Sequence, residues 1–238
     1  MITVRHLSKT LQKQVILDDM TFDVASGEIL VVLGESGAGK SILLKHLIGL
    51  LKPDTGTIEI DARDITKLSE EELLKVRKQM GYLFQEGALY DFMNVFDNLA
   101  FQLREHTLFG EAVIKDKVND ILRLVGLEGA EAKYPSELSG GMRKRVGLAR
   151  AMIMDAKILL CDEPTSGLDP MRSRDISDLI KQVSRKYQCT TVITSHDIDN
   201  SFRIADRVAL IQQGKLLVIG TPEALKSSKN HFVQEFIS

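Results

Sequence analysis

Gly34-Glu35-Ser36-Gly37-Ala38-Gly39-Lys40-Ser41 follows the apolar run 29–33 and precedes a segment, 42–48, whose apolar residues recur at helical spacing. This order predicts a buried parallel strand, a glycine loop and a helix. The spacing G-x-x-x-x-G-K-[ST] is typical of a loop whose backbone N–H groups surround phosphates, whose lysine reaches the outer phosphates and whose hydroxyl binds Mg²⁺. The helix N-terminus adds a positive dipole end. We therefore start from the hypothesis that the chain binds a nucleotide.

Composition excludes several classes of protein. The chain has 238 residues, of which 44% are hydrophobic and 27% charged, which is ordinary for a globular protein with a sizeable core. A net charge of -2 gives no general attraction to nucleic acid, so we expect no nucleic-acid partner. No apolar run approaches the length of a membrane span, and residues 1–6 lack the apolar core of a signal peptide, so we expect a cytoplasmic protein.

The order of strand and helix patterns predicts an α/β fold with a mostly parallel core sheet. Short N-terminal strands, predicted to be antiparallel, end near Ser26-Gly27. The chain from 86 to 155 shows helical periodicity at 95–104, 113–125 and 141–154, which predicts an inserted helical lobe. We expect a single domain over residues 1–238, with the core at about 1–85 and 156–220, the helical subdomain at about 86–155, and a C-terminal helical tail at about 221–238.

Polar residues follow the ends of several predicted strands. Gln85, Asp162, Glu163 and His196 each come just after an apolar run, and ligands of parallel sheets bind at the carboxyl ends of strands. An aspartate there can hold Mg²⁺ and the neighbouring glutamate can polarise a water molecule, while a glutamine can orient the water or touch the metal. A histidine can donate to a terminal phosphate. The alternatives are that Asp162 caps a turn and that His196 is structural.

Ser139-Gly140-Gly141 begins a second helix that is suited to an anion. A simple capped helix is the alternative explanation. If both glycine-rich helix starts serve one nucleotide, two copies of the chain are required. The basic run 143–145 that follows predicts a solvated helix face.

These motifs together resemble an ABC-transporter ATPase subunit over essentially the whole chain. The resemblance is carried, in order, by the phosphate loop, the Q-loop Gln85, the signature 138–141, the Walker B stretch 158–163, the D-loop 166–169 and the switch His196. It implies a P-loop NTPase fold with a RecA-like core, ATP and Mg²⁺ as cofactors, and a head-to-tail homodimer with ATP at the seam.

The resemblance also implies roles for individual residues. The catalytic residues would be Glu163, His196 and Gln85, and the metal would be held by Ser41, Gln85 and Asp162. Nucleotide contacts would come from the phosphate loop of one copy and the signature of the other. These cofactor-binding residues are Gly34, Glu35, Ser36, Gly37, Ala38, Gly39, Lys40, Ser41, Ser139, Gly140, Gly141 and Asp169.

A narrower resemblance, to the ATPases of Mla/Mce-type phospholipid transporters, lies in segments 87–98 and 103–107 and in Met142, where most importers have glutamine. It implies an integral-membrane permease contacting about Gln85–Phe96, an Mce-domain substrate-binding protein as an indirect partner, and a peripheral position on the inner face of the cell membrane. The aromatic segment can instead pack the helical lobe. The alternative functions are a nucleotide switch in a non-transport complex such as cell division, and import of a non-lipid substrate.

Two positions depart from the family pattern. Many ABC ATPases stack an aromatic residue on adenine, whereas the corresponding region here is 9–12, with Leu11 as the best match. Met142 cannot donate the hydrogen bond of a glutamine amide.

The tail, 230–237, has the spacing of a short amphipathic helix, which would pack on its own domain or on the partner copy.

Overall fold

The computed structural model describes residues 1–237. The strands are β1 Ile2–Leu11, β2 Gln14–Val24, β3 Ile29–Leu33, β4 Thr55–Ile60, β5 Arg63–Asp64, β6 Met80–Leu83, β7 Ile158–Asp162, β8 Thr190–Ser195, β9 Arg207–Gln212 and β10 Lys215–Gly220. The α-helices are α1 Lys40–Leu47, α2 Glu70–Arg77, α3 Val95–His106, α4 Glu111–Leu124, α5 Gly140–Met152, α6 Pro170–Tyr187, α7 Ile198–Ile204, α8 Pro222–Lys226 and α9 His231–Ile237.

The core sheet has the strand order β10-β9-β3-β8-β7-β6. Every neighbouring pair is parallel except β10 with β9, so the prediction of a mostly parallel α/β core is confirmed. β3, β7 and β8 are buried along their whole length, which explains the nearly unbroken apolar sequences of β3 and β7. Their carboxyl ends meet at one edge, where Asp162 lies opposite Thr194 and Leu33 opposite Ser195.

A second sheet, of order β2-β1-β4-β5, is antiparallel. The prediction of short strands at the N-terminus is wrong, because β1 and β2 form one long hairpin. Register shifts at Leu7 and Lys9 interrupt the alternation of apolar residues, so the sequence pattern looks like several pieces. β4 starts at Thr55 and pairs with β1. Gly56 sits there with φ +90°, and a Cβ would lie 2.4 Å from the His6 carbonyl oxygen.

Two apolar clusters lie on opposite faces of the core sheet. β3 contributes to both, since Leu30 and Val32 join the cluster that includes α1 and the antiparallel sheet, whereas Ile29, Val31 and Leu33 join the cluster formed with α3–α6. This is the twofold alternation expected of a strand covered on both faces. Cys161 and Cys189 are both buried and free.

The three helices predicted between 86 and 155 are present, with ends within a few residues of the prediction. Their apolar faces share one cluster with β3 and β7, and the division into core, helical subdomain and tail stays a prediction. α7 was not predicted; it begins at Asp197, whose carboxylate accepts from the Asn200 N–H. No helix within residues 1–237 is both long enough and apolar enough to span a membrane.

The tail packs on its own chain. Val233 of α9 is buried in the cluster of the helical face, Phe236 packs against it, and the Phe232 and Phe236 rings lie 6.1 Å apart. Ser238, the end of the predicted tail, lies outside the described residues. Packing on a partner copy stays a separate prediction.

His46 of α1 is a buried histidine with a single hydrogen bond. It is 0% exposed, its Nδ1 donates to the Ile42 carbonyl oxygen at 2.8 Å, and among residues 1–237 its Nε2 has no partner. Burial lowers the pKa of the imidazole below its usual 6.5. The Ile42 carbonyl opposes this shift, the Lys9 ammonium adds to it, and the Lys52 backbone and the Asp54 carboxylate oppose it more weakly. His46 is therefore mainly neutral in the folded chain at pH 6.5 and above.

We expect this neutral histidine to make the fold acid-sensitive. The contribution of His46 to the free energy of unfolding is fully present above pH 6.5. As the pH falls below 6.5, the histidine becomes protonated in the unfolded chain before it does in the folded chain, whose pKa is lower, so the folded state loses stability. The free energy of unfolding, measured in urea from pH 7.5 to 5.5, should fall more steeply in the wild type than in His46→Asn, which retains a donor for Ile42. His106→Gln, an exposed control, should keep the wild-type slope, and an identical slope in His46→Asn would contradict the prediction.

Candidate functional site

The phosphate loop joins β3 to α1 in a conformation that requires glycine. A Cβ at Gly34 would lie 2.6 Å from the Ile211 carbonyl oxygen, and Gly39 combines φ +98° with a Cβ position 2.7 Å from the Ile16 carbonyl oxygen. Lys40 folds back over the loop, and its Nζ donates to the carbonyl oxygens of Gly34 at 2.6 Å and Glu35 at 3.0 Å. The loop is thus preformed around the lysine.

Beside this loop lies a cleft of about 740 Å³. It is lined by Leu11, Ile16, Glu35, Ser36, Gly37, Gly39, Lys40, Ser41, Ile42, Gln85, Glu163, Ser166 and His196. Of the predicted loop residues, Gly34 and Ala38 are buried behind its wall. The structure therefore brings the loop and the residues at three strand ends together at one edge of the core sheet.

Glu163 stands at the centre of the charged groups in the cleft. Its Oε1 lies 3.0 Å from Lys40 Nζ, and His196 Nδ1 lies 2.8 Å from its Oε2. Its backbone has φ +44°, a left-handed conformation rare for glutamate, and its N–H donates to the carbonyl oxygen and Oγ1 of Thr194. A glutamate with a strained backbone, whose carboxylate contacts both a lysine and a histidine, is typical of functional sites.

Asp162 collects hydroxyl groups from three elements. Ser41 Oγ and Thr194 Oγ1 each donate to its Oδ1 at 2.8 Å, and the Tyr82 hydroxyl donates to its Oδ2 at 3.3 Å. Burial, together with the neighbouring Asp162 carboxylate, raises the pKa of Tyr82, so the phenol stays protonated as a donor. The donor set near the loop consists of hard oxygen atoms, which suit Mg²⁺ in a site completed by phosphate oxygens.

Gln85 is held in place by α5, the helix that begins at the signature sequence 138–141. Its Nε2 donates to Ser166 Oγ at 3.1 Å, and its carbonyl oxygen accepts from the buried Lys144 of α5. Nearly two turns further along α5, Arg150 donates to the carbonyl oxygens of Gly87 at 2.9 Å and Ala88 at 2.7 Å. Burial lowers the pKa of both cations. We call these three contacts the α5 clamp.

The prediction of a solvated basic face at 143–145 is wrong. Lys144 is only 5% exposed because it points at the Q-loop, and Arg145 donates to the Val125 carbonyl oxygen at 2.8 Å. Arg143 is exposed, yet it too bonds a backbone carbonyl, that of Leu138. The three basic side chains at 143–145 therefore donate hydrogen bonds to backbone carbonyl oxygens at the ends of helices and in loops.

The second glycine-rich helix start, Ser139-Gly140-Gly141, lies apart from the cleft. Ser139 caps α5 by accepting from the Met142 N–H at 3.3 Å, and it lines a separate hollow of about 190 Å³ with Gly141 and Arg172. Asp169 caps α6 by accepting from the Arg172 N–H at 3.0 Å. Within a single chain, Ser139, Gly140, Gly141 and Asp169 do not line the cleft, which agrees with a role toward a second copy.

The end of the cleft that β1 and β2 contribute is aliphatic. Leu11 of β1 and Ile16 of β2 line it, at the place where the sequence departs from the family's aromatic residue. An aliphatic surface contacts any nucleobase, but it offers no hydrogen bond to distinguish one base edge from another. We infer that this end holds a base by contact alone.

Tyr82, Thr194, Ser166, Lys144 and Arg150 were not predicted from the sequence as site residues. Thr194 and Tyr82 could have been found by aligning the parallel strands. Asp162 of β7 lies opposite Thr194 of β8. Tyr82 of β6 lies opposite Leu160, two residues before Asp162 on β7, so the side chains of Tyr82 and Asp162 share one face of the sheet. Lys144 and Arg150 gave no such signal, since a basic residue on a helix predicts exposure.

Comparison with known proteins agrees with this geometry. The family model described as ABC transporter matches residues 17–166. The chain is 45% identical over 237 residues to the probable ribonucleotide transport ATP-binding protein mkl of Mycobacterium leprae, covering 100% of this chain and 68% of that protein. It is 42% identical over 237 residues to the intermembrane phospholipid transport system ATP-binding protein MlaF of Haemophilus influenzae, covering 100% of this chain and 90% of that protein.

A solved structure is similar throughout. The dimeric, post-hydrolysis ATP-binding cassette MJ0796, bound to ADP and Pi, superposes with a TM-score of 0.85 at 26% identity, covering 93% of this chain and 99% of that one. The prediction of a P-loop NTPase fold of the ABC ATPase type is confirmed.

We expect the aliphatic end of the cleft to accept ATP and GTP alike. Their dissociation constants should differ by less than about tenfold, because a site without a polar partner for the base edge cannot reject an isostere strongly. Leu11→Tyr should tighten both by about tenfold through stacking. Fluorescent-nucleotide titration measures this, with Val15→Tyr, on the same hairpin but outside the cleft lining, as control. A preference for ATP above about a thousandfold would contradict the prediction.

Proposed function

Since this chain belongs to the ABC transporter family and is an ATP hydrolase subunit, we propose that it powers phospholipid transport through a separate membrane permease. The observation that carries the catalytic part is the single cleft in which Lys40, Glu163 and His196 form a chain of contacts beside the Ser41–Asp162 pair.

Each charged or polar residue of the cleft has a separate role in phosphoryl transfer, which depends on positioning and electrostatics. Lys40 neutralises the outer phosphates. Ser41 and Asp162 would hold Mg²⁺, which would neutralise the charge that develops on the phosphate oxygens. Glu163 accepts the proton of the attacking water as general base. Gln85 orients that water and would help to hold the metal.

The Lys40–Glu163 contact is an ion pair within the cleft. Both side chains are largely buried, so each charge requires a partner, and each has the other. Phosphate oxygens compete with Glu163 for Lys40. Nucleotide binding thereby frees the carboxylate to meet water, while His196 keeps hold of its other oxygen and restrains its orientation.

The complete site requires a second copy of the chain. Ser139, Gly140, Gly141 and Asp169 lie outside the cleft lining of their own chain, and Ser139 and Asp169 are exposed at helix starts. In a head-to-tail homodimer, the α5 N-terminus of one copy faces the nucleotide held by the phosphate loop of the other. A dimeric cassette among the similar structures supports this arrangement.

The lipid cargo and the permease are proposed from the segment after Gln85. Phe92 is 76% exposed and packs loosely on Tyr90, with ring centroids 5.8 Å apart. Exposed aromatic residues beside a loop that reports on the nucleotide form a surface suited to a partner. The similarity to MlaF supports a phospholipid transport system, with the permease on this surface, an Mce-domain protein as indirect partner, and a position on the inner face of the cell membrane.

A ribonucleotide cargo is the second candidate. The mycobacterial relative is described as a probable ribonucleotide transport protein, and this chain spans about two thirds of its length. Residues that contact nucleotide phosphates do not report the cargo.

Glu163→Gln should remove turnover while retaining nucleotide. We expect the hydrolysis rate to fall by about a hundredfold or more because the general base is lost. The dissociation constant for ATP should fall, since Lys40 no longer has an anionic partner within the chain. Phosphate release, fluorescent-nucleotide binding and light scattering would measure turnover, affinity and the trapped dimer. Glu105→Gln, on the exposed face of α3, is the matched control; an unchanged rate in Glu163→Gln would remove Glu163 from the mechanism.

Phe92→Ser should separate the chain from its permease. Affinity purification of the tagged chain from its own cells in mild detergent should recover a multispanning permease with bound phospholipid, and Phe92→Ser should lose both while its own ATP hydrolysis persists. Phe109→Ser, an exposed aromatic residue between α3 and α4, should behave like the wild type. Recovery of a division or signalling protein without a permease would contradict transport, and a ribonucleotide bound in place of lipid would support the second candidate.

A further inference from the structure

The far side of the Asp162 carboxylate carries a contact that the proposed chemistry does not use. Asp162 is 8% exposed, and its Oδ1, which accepts from Ser41 and Thr194, is the oxygen bonded to the phosphate loop. Its Oδ2 accepts from the Tyr82 hydroxyl at 3.3 Å. A tyrosine from a different strand therefore contacts the oxygen that Ser41 does not contact.

Tyr82 is placed there rigidly. It lies on β6, which pairs in parallel with β7, and it is in register with Leu160, two residues before Asp162. Residues at this diagonal position share one face of the sheet, which brings the phenol hydroxyl within reach of the carboxylate. The ring is buried and packs on Phe84, with centroids 4.3 Å apart. The side chain is thus fixed from both ends.

The two carboxylate oxygens have different hydrogen-bond partners. When Ser41 binds Mg²⁺ through an oxygen lone pair, as in the proposed function, its hydrogen still donates to Oδ1, the oxygen that Thr194 also contacts. Hydrogen bonds to one oxygen alone do not fix the plane of a carboxylate, whereas bonds to both oxygens do. Tyr82 supplies a contact to Oδ2. At 3.3 Å this contact is longer than a charge-assisted O–H···O⁻ bond of about 2.5–2.7 Å, so it can shorten when the carboxylate turns toward the metal.

We propose that Tyr82 is a positioning residue for Mg²⁺ uptake, whose hydroxyl holds the plane of the Asp162 carboxylate from outside the cleft. A phenylalanine would fill the same space and pack on the same neighbour, but it would leave Oδ2 without this donor. The proposal rests on the proposed function, in which Asp162 holds the metal.

The test is the Mg²⁺ dependence of nucleotide binding in Tyr82→Phe. A fluorescent, non-hydrolysable ATP analogue is titrated at a series of Mg²⁺ concentrations, and again in EDTA without metal. We expect the Mg²⁺ concentration for half-maximal tightening to rise about tenfold, which is the loss of one hydrogen bond to a charged group. Affinity in EDTA should stay at the wild-type value, because Lys40 and the loop are untouched. Tyr82→Met, which also lacks the hydroxyl but fills space flexibly, should give the same shift.

Two controls separate the possible failures. Tyr187→Phe removes a hydroxyl from a half-buried tyrosine at the end of α6 and should leave the Mg²⁺ dependence unchanged. Asp162→Asn should abolish the metal dependence. If it does so while Tyr82→Phe behaves like the wild type, the role of Tyr82 is overturned and the proposed function stands. If Asp162→Asn keeps the wild-type metal dependence, the metal role of Asp162 fails, and the role of Tyr82 fails with it.

Discussion

The parallel pairing of β7 with β8 is the interaction on which the cleft depends. It sets Asp162 opposite Thr194, and that one threonine donates to the Asp162 carboxylate while receiving the N–H of Glu163. The aspartate and the strained glutamate are therefore aligned by the same side chain. A slip of one residue would turn every side chain of β7 to the other face of the sheet and dismantle both contacts.

Each buried charge of the cleft has a partner. Lys40 has two loop carbonyls and Glu163, Glu163 has Lys40 and His196, and Asp162 has three hydroxyl groups. Removing one member of such a set leaves the others buried without compensation, which costs several kcal/mol. In the proposed function, nucleotide phosphates replace Glu163 as the partner of Lys40, and this exchange frees the carboxylate for the reaction.

Much of this arrangement follows from local sequence. The ends of β3 and β7, the capping box at Ser69 and Glu72, and the gathering of Gln85, Glu163 and His196 at one sheet edge all come from short-range patterns whose physical causes lie within a few residues. The rest depends on distant partners. Register shifts conceal the length of the N-terminal hairpin, and the burial of Lys144 depends on the Gln85 carbonyl, 59 residues away in the sequence. Tyr82 acquires a role only when β6 is placed beside β7.

The α5 clamp ties the loop after β6 to the helix that starts at the signature serine. Gly147 lies between its two cations, and a Cβ there would come within 2.9 Å of the Leu83 side chain and 3.3 Å of Gly87. Segments 83–88 and 140–152 are therefore a matched pair whose shapes are specified jointly. In recombining this protein with its relatives, a crossover placed between those segments would combine a loop and a helix that were never fitted to each other, whereas grafts that carry both would preserve the match.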